Sequence, residues 1–132
     1  MILPYLYGRS QARLPMSPNR RLAQLDRLRL EYERLRGELS RLGYVLQGSV
    51  TERRLPCGKA ACACTTDIQA RHGPYFQWSL KREGRTVSAY LIPQQARLCR
   101  QWIENNRQLE RVVRKMRDLS LRVAHLHEIP EL

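Results

Sequence analysis

The sequence has few aromatic side chains and no long apolar run. Aromatic residues make up 7% of the 132 residues, and the mean hydropathy is −0.56, so we expect a modest core beneath a large solvated surface. No segment approaches the roughly 18 apolar residues that a membrane-spanning helix needs. At the start of the chain, apolar residues precede the arginines, which reverses the order found in a secretory signal peptide. These absences predict one cytoplasmic domain without membrane contact, whose cysteines are reduced.

Acidic residues are also scarce. The chain has 12 of them against 24 basic residues, which gives a net charge of +12. A surplus of this size favours a polyanionic partner, most simply nucleic acid. Arginine outnumbers lysine by 21 to 3, which a GC-rich genome can produce by itself, and the basic residues are spread along the whole chain. The charge therefore predicts a class of partner but not the place where that partner binds.

Two amphipathic segments predict long helices. Ser17 and Pro18 are typical of an N-cap followed by proline at the first helical position. Apolar residues then recur at alternating steps of three and four as far as residue 46. This spacing predicts a helix over residues 17–47 with a coiled-coil seam. The seam consists of Leu25, Leu28, Tyr32, Leu35, Leu39, Leu42 and Leu46.

The second helix is predicted over residues 93–128, beginning at Pro93. Two seams fit it. In one, Asn106 is a polar member that fixes the alignment of the helices; in the other, the helix is slightly rotated. The first seam consists of Cys99, Trp102, Asn106, Leu109, Val113, Met116, Ser120 and Val123, and the second also uses Leu98, Asn105, Val112, Leu119 and Leu126. The helices can pair antiparallel within one chain or form a four-helix homodimer.

The segment between the helices, residues 48–92, predicts β structure. Apolar and polar residues alternate over 75–81 and again over 86–92, on either side of a turn at 82–85, which is typical of a hairpin. Residues 49–55 can supply a third strand. A sheet of two or three strands is marginally stable alone in water, so we expect another interaction to hold it.

Three of the four cysteines lie close together in this segment. The spacing Cys57-x4-Cys62-x-Cys64-x7-His72 supplies three thiolates and an imidazole, the donors that tetrahedral Zn²⁺ prefers. Gly58 permits a tight turn, although the spacing lacks the common C-x2-C pair. We predict a structural zinc ion held by these four residues, which contributes directly to folding.

Other interpretations of the cluster stay open. Cysteines are often small buried core residues, although this segment is hydrophilic. Cys62 and Cys64 can form a redox pair, although they lack the C-x-x-C spacing. A cysteine nucleophile with His72 as its base would need an orienting acid, and Asp67 is the one nearby carboxylate. We therefore predict that the protein has no catalytic residues, is not an enzyme and takes no small-molecule substrate.

The cysteine segment also carries a longer motif. It consists of Cys57-Gly58-Lys59, Cys62, Cys64, His72-Gly73-Pro74-Tyr75, Lys81, Gly84-Arg85-Thr86 and Pro93. This motif resembles the core of a family of small, uncharacterised bacterial proteins, many encoded near transposases in mobile elements. The resemblance covers residues 48–118, and it departs from the family pattern at Ala60 and in the N-terminal helical extension. It implies mobile DNA as a context and carries no activity.

Together, these observations predict an α+β protein that is mostly helical. Two long, antiparallel, coiled-coil-like helices flank a small zinc-stabilised β hairpin of two or three strands. Residues 1–16 are predicted to form a flexible basic arm, and residues 17–132 a single domain.

The predicted function is that of a non-enzymatic, zinc-binding accessory protein of a mobile element, which binds nucleic acid and DNA in particular. Tyr75 and Tyr90 can offer stacking faces; alternatively, both tyrosines face the helices and the nearby charges are merely solvated. The alternative function is an adaptor whose helical seams bind a transposase or a second copy of the chain. The predicted nucleic-acid contacts are Arg53, Arg54, Lys59, Arg71, Lys81, Arg82, Arg85 and Tyr75.

Overall fold

The structure is a computed structural model that describes residues 14–130. Along the chain, the three strands of one sheet lie between two helices. This confirms the predicted order of helix, β insert and helix. The elements are α1 (Pro18–Ser40), β1 (Ser49–Leu55), β2 (His72–Arg82), β3 (Arg85–Leu91) and α2 (Pro93–Leu126), with single 3₁₀ turns at Ala63–Thr65 and Ile68–Ala70. The predicted basic arm lies almost entirely outside the described residues.

The two helices pack against each other through a small apolar core. Leu28 and Leu35 of α1 meet Val112 and Leu119 of α2, and none of the four is more than 4% exposed. Five partly buried residues flank this core: Tyr32, Leu39, Met116, Val123 and Leu126. At one end of the pair, the Arg21 guanidinium, from the first turn of α1, donates to Glu128 at 2.8 Å, just beyond the end of α2. The helices therefore run antiparallel.

The seam of α2 combines the two predicted alternatives. Val112 and Leu119, from the rotated seam, are the buried members, while Met116 and Val123 from the first seam lie beside them. Asn106 does not cross to α1, because its side-chain amide donates to Glu110 on the same helix at 3.3 Å. Asn106 therefore does not fix the alignment of the helices, as the first predicted seam had it.

The predicted end of α1 was wrong, because the helix stops at Ser40 and not near residue 47. Gly43 interrupts the helical sequence, at a cost of about 1 kcal/mol relative to alanine. The chain beyond it finds better partners along α2: the Asn105 side-chain amide donates to the Tyr44 carbonyl at 2.9 Å, and the Leu46 N–H donates to the Trp102 carbonyl at 3.1 Å. These bonds lead the chain into β1 in an extended form.

The three strands form an antiparallel sheet in the order β1–β2–β3. Glu83 and Gly84 make the two-residue turn between β2 and β3, both with positive φ, as a tight hairpin of this length requires. At the entry to β1, Gly48 has a φ of 105°, and a Cβ there would lie 2.3 Å from the Ser79 carbonyl oxygen. Only glycine fits this close approach, which sets β1 against the centre of β2.

The two faces of the sheet differ in what covers them. Phe76, Trp78 and Leu80 are half-buried on the face towards α2, where the Arg100 guanidinium lies 5.3 Å from the centre of the Phe76 ring. We call the opposite side the outer face; eight of its ten residues are exposed, and Gln77 and Ser79 are half-buried. Its members are Ser49, Thr51, Arg53, Tyr75, Gln77, Ser79, Lys81, Thr86, Ser88 and Tyr90.

Leu35→Ala is expected to lower the free energy of unfolding by about 2–5 kcal/mol, because it leaves a cavity between the helices. The matched control is Leu30→Ala on the same helix, where the leucine is 58% exposed. That change should alter stability by less than about 0.5 kcal/mol. Urea unfolding followed by circular dichroism measures both. Equal losses in the two variants would contradict this placement of the core.

Candidate metal centre

Strand pairing brings the two ends of the cysteine segment together. Leu55, the last residue of β1, pairs with His72, the first residue of β2. Cys57 lies two residues beyond Leu55, so it begins the loop beside the histidine that ends it. Within the loop, the Cys62 N–H donates to the Lys59 carbonyl at 3.1 Å. This turn carries the chain back towards Cys57.

The four predicted ligands converge at this place. The ligand atoms of Cys57, Cys62, Cys64 and His72 all lie within 4.8 Å of one another. Cys57 Sγ is 3.5 Å from Cys64 Sγ, and Cys62 Sγ is 3.4 Å from His72 Nε2. The cysteines are free thiols, since a disulfide needs sulfurs about 2.05 Å apart. The clustering predicted from the sequence is confirmed.

The spacing of these atoms fits a tetrahedral ion. With metal–sulfur bonds near 2.3 Å and metal–nitrogen bonds near 2.0–2.1 Å, a tetrahedron places two sulfurs about 3.8 Å apart and a sulfur and a nitrogen about 3.6 Å apart. The observed separations of 3.5 and 3.4 Å are close to those edges. Within residues 14–130, this is the one group of three or more His, Cys, Asp or Glu side chains placed to share an ion.

The thiols of the cluster have shifted pKa values. The backbone N–H of Cys64 and then the neighbouring thiols hydrogen-bond to the Cys62 sulfur and lower its pKa. For Cys64, the Cys57 N–H donates to its sulfur at 3.3 Å and favours the thiolate, but burial and the adjacent thiols outweigh that bond and raise the pKa. Without a cation, the crowded thiols thus favour ionisation of Cys62 and oppose ionisation of Cys64, whereas a metal ion would favour all of the thiolates.

The residue that follows the predicted histidine ligand, Gly73, occupies a position that only glycine fits. Its φ is 131°, and a Cβ at this position would lie 2.8 Å from the Arg53 carbonyl oxygen. The strands β1 and β2 therefore approach closely only because this residue has no side chain. This approach holds His72 at the edge of the cluster.

The remaining cysteine and histidines lie elsewhere. Cys99 is half-buried on α2, away from the other three cysteines, as the sequence predicted. His127 caps the end of α2, and His125 lies in its last turn. Asp67, the carboxylate nearest to the cluster in sequence, accepts a hydrogen bond from the Gln69 N–H at 2.9 Å and caps a 3₁₀ turn. Its carboxylate thus has a local structural role.

The seven predicted basic contacts are exposed, but they do not form one patch. Arg53, Arg54, Lys59 and Arg71 surround the cysteine cluster and form what we call the cysteine-end group. Lys81, Arg82 and Arg85 lie at the β2–β3 turn and form the hairpin-end group. Arg53 pairs with Tyr75, six residues before Lys81 on β2, so about 20 Å separates the nearest members of the two groups. The sequence did not reveal this separation, because it depends on the length of a single strand.

These basic side chains are also electrostatically unbalanced. None of the seven forms a salt bridge within the described range, 14–130, whereas several helix arginines do. Arg29 pairs with Asp26, and Arg36 with Glu33, each on its own helix. On α2, Arg107 and Arg111 both bind Glu104 and lower the pKa of its carboxyl group. No acidic neighbour therefore cancels the positive charge around the sheet, although helix residues such as Arg27, Lys115 and Arg117 also form no salt bridge within the described range.

Both tyrosines lie on the outer face of the sheet and not towards the helices. Tyr75 pairs directly with Arg53, and Tyr90 pairs with Gln77. The sequence pattern placed Tyr75 and Gln77 on one face of β2, but it did not identify the contribution of β1. That contribution depends on the β1–β2 register, which Gly48 and the loop closure determine.

Comparison with known proteins identifies a family. Residues 21–101 match the family described as "Domain of unknown function (DUF6788)". The chain belongs to this family. The match includes most of α1, so that helix is part of the family's domain and not an extension of it. No curated protein and no solved structure matches the chain. Among the described residues, no helix is long and apolar enough to cross a membrane.

Purified protein is expected to contain about one metal ion per chain. Elemental mass spectrometry gives the metal concentration, which is divided by the protein concentration. Cys62→Ser and His72→Ala should lose this ion together with thermal stability, whereas Cys99→Ser should retain both. Acidification should release the metal, because protons compete for the thiolates. A metal-free, reduced wild-type protein would contradict the site.

Proposed function

We propose that this DUF6788 protein is a non-enzymatic, zinc-stabilised nucleic-acid-binding accessory protein, which acts in the cytoplasm in the context of mobile DNA. The observation that carries this proposal is the set of seven exposed basic side chains, without salt bridges inside the described range, on and around the sheet beside the cysteine cluster. The mobile-DNA context comes from the motif resemblance alone.

Zinc is the ion that the donor set favours. Three thiolates and an imidazole are soft and borderline donors, which suit Zn²⁺ better than Mg²⁺ or Ca²⁺. Four protein ligands leave no open position, which is typical of a structural site. When bound, the ion would supply a cross-link that joins the end of β1, the loop and the start of β2. The ligands therefore contribute to the fold and not to a reaction.

The charge around the sheet supports a polyanionic partner. Residues 49–92 contain seven basic residues and three acidic ones. Of the acidic residues, Asp67 caps a turn and Glu52 pairs with Phe76, on the face towards α2. The third, Glu83, lies in the β2–β3 turn beside the three basic residues of the hairpin-end group. Little negative charge thus opposes a phosphate chain at the outer face or at the cysteine end.

Charge reversal at the cysteine end is expected to abolish most nucleic-acid binding. The triple variant that combines Arg53→Glu, Arg54→Glu and Lys59→Glu loses three phosphate contacts and gains three negative charges. Its affinity should therefore fall at least about 10-fold. The wild-type affinity should fall steeply with salt, and single neutral substitutions should each reduce that salt slope by about one. Fluorescence anisotropy with labelled DNA, titrated over salt, measures these quantities.

The control reverses three charges on the helices: Arg27→Glu, Lys115→Glu, Arg117→Glu. These residues are exposed, form no salt bridge inside the described range and lie away from the sheet. The same change in net charge is expected to weaken binding much less. If the two triple variants bind equally well, the basic residues around the cysteine cluster are not the binding site.

A second candidate function is that of an adaptor that associates with another copy of itself. The observation in its favour is an apolar groove along one side of the helix pair, since two helices cannot cover each other completely. Tyr32 lies at the middle of this groove, and Leu121, which is 63% exposed, lies at its rim. Its other apolar lining residues are Leu25, Leu28, Leu39, Val113, Met116, Leu119 and Val123. A second helix pair in this groove would complete a four-helix arrangement.

If the groove joins two chains, light scattering should give twice the chain mass of 15.6 kDa. Leu121→Glu should reduce that mass to one chain, because it places a charge in the interface. Leu30→Glu, at a leucine that is 58% exposed and outside the groove, is the matched control. A wild-type protein that is monomeric at every concentration would exclude self-association.

A further inference from the structure

The outer face has an unusual composition for a largely exposed surface. α2 borders it at one end, where Ser79, Lys81 and Thr86 line a cleft with Asn106 and Glu110. The ten residues of the outer face include no acidic and no aliphatic side chain: two are tyrosines, two are basic, and the other six are serine, threonine or glutamine. The apolar side chains of the same strands lie on the opposite face. Burial against α2 therefore accounts for Phe76 and Trp78 but does not account for the two tyrosines.

The register places the tyrosines next to each other. Gln77 pairs with Tyr90, so Tyr90 is the diagonal neighbour of Tyr75, about 7–8 Å away in a sheet. The two tyrosines are 43% and 67% exposed. Since both side chains are exposed and lie side by side on one face, each ring has a face open to one flat group. The pair is thus a platform for two planar groups side by side.

Polar and basic residues surround this platform. Arg53 pairs with Tyr75 on the neighbouring strand, and Lys81 lies on the same face towards the hairpin turn. Between them, the Gln77 side chain lies in one row with Thr51 and Tyr90, where its amide offers a donor and an acceptor. A chain that crosses the face along β2 meets positive charge at both ends and aromatic rings near the cysteine end.

We propose that the outer face binds single-stranded nucleic acid, with successive bases stacked on Tyr75 and Tyr90 and phosphates held by Arg53 and Lys81. The inference rests on the proposed nucleic-acid function and specifies its ligand. Every base has a π-face, so such a platform accepts many sequences. The cysteine-end and hairpin-end groups then extend the path of the phosphates beyond the two ends of the sheet.

Duplex DNA suits this face less well. Its bases are stacked on each other, so their flat faces cannot reach the tyrosine rings. The major groove is about 12 Å wide and admits a helix or a two-stranded ribbon, whereas three strands about 4.8 Å apart, with their side chains, are wider. An acidic protein segment could pair with Arg53 and Lys81 but would leave the two rings without a role.

The test compares a labelled single strand of about 15 thymidines, near the upper size for one small module, with a duplex of the same length. Wild-type protein should bind the single strand more tightly. Tyr75→Ala and Tyr90→Ala should each weaken that binding about 10-fold without changing the salt slope, since no phosphate contact is lost. Tyr75→Phe and Tyr90→Phe should retain binding, because stacking does not need the hydroxyl group.

The matched control is Tyr44→Ala, at a tyrosine that is 78% exposed and lies outside the sheet. It should bind like the wild type, and all variants should keep the wild-type metal content. Equal binding of single strand and duplex, with no effect of the tyrosine changes, would overturn this inference and leave the proposed function standing. An absence of binding to either DNA at low salt would overturn both. Displacement of the single strand by polyglutamate as readily as by unlabelled thymidine strand would also overturn the inference.

Discussion

The convergence of Cys57, Cys62, Cys64 and His72 is the constraint on which the sheet depends. The loop that carries them contains only two single 3₁₀ turns, and Cys64 is its one buried residue. Such a segment gains little from apolar burial to offset the entropy lost when it closes. Coordination of one metal ion by the four residues, as proposed above, would supply that missing interaction. The pairing of Leu55 with His72, and with it the alignment of β1 on β2, follows from this closure.

The second organising element is α2, which serves both halves of the molecule. It has 34 residues against 23 in α1. Its C-terminal part packs on α1 through Val112 and Leu119, while Arg100 in its N-terminal part covers the apolar face of the sheet. Trp102 belongs to the junction, where the chain that leaves α1 binds to α2 and turns into β1. The sheet and the helix pair are thus attached to a single continuous helix.

The sequence was informative where structure is local. The α1 seam as far as Leu39, the turn at 82–85 and the spacing of the ligands all depend on residues near one another in the chain, and all three agree with the structure. The end of α1 was wrong because Leu42 and Leu46 continue the helical spacing, and only their distant partners on α2 favour an extended chain. The seam of α2 was ambiguous because rotation of a helix is set by its neighbour. The separation of the basic residues could not be predicted, since it required the length and register of β2.

The continuity of α2 determines how the two ends of the protein can move. After Pro93 the helix contains neither glycine nor proline, and these are the residues at which helices usually kink. The sheet therefore has no hinge within α2 about which to turn relative to the apolar groove. Any partner seated along the helix pair would stand at a fixed angle to the outer face. Two chains joined through the apolar groove would hold their outer faces at a fixed angle to each other. The direction of a nucleic-acid strand bound to one face would then fix the direction of the strand bound to the other.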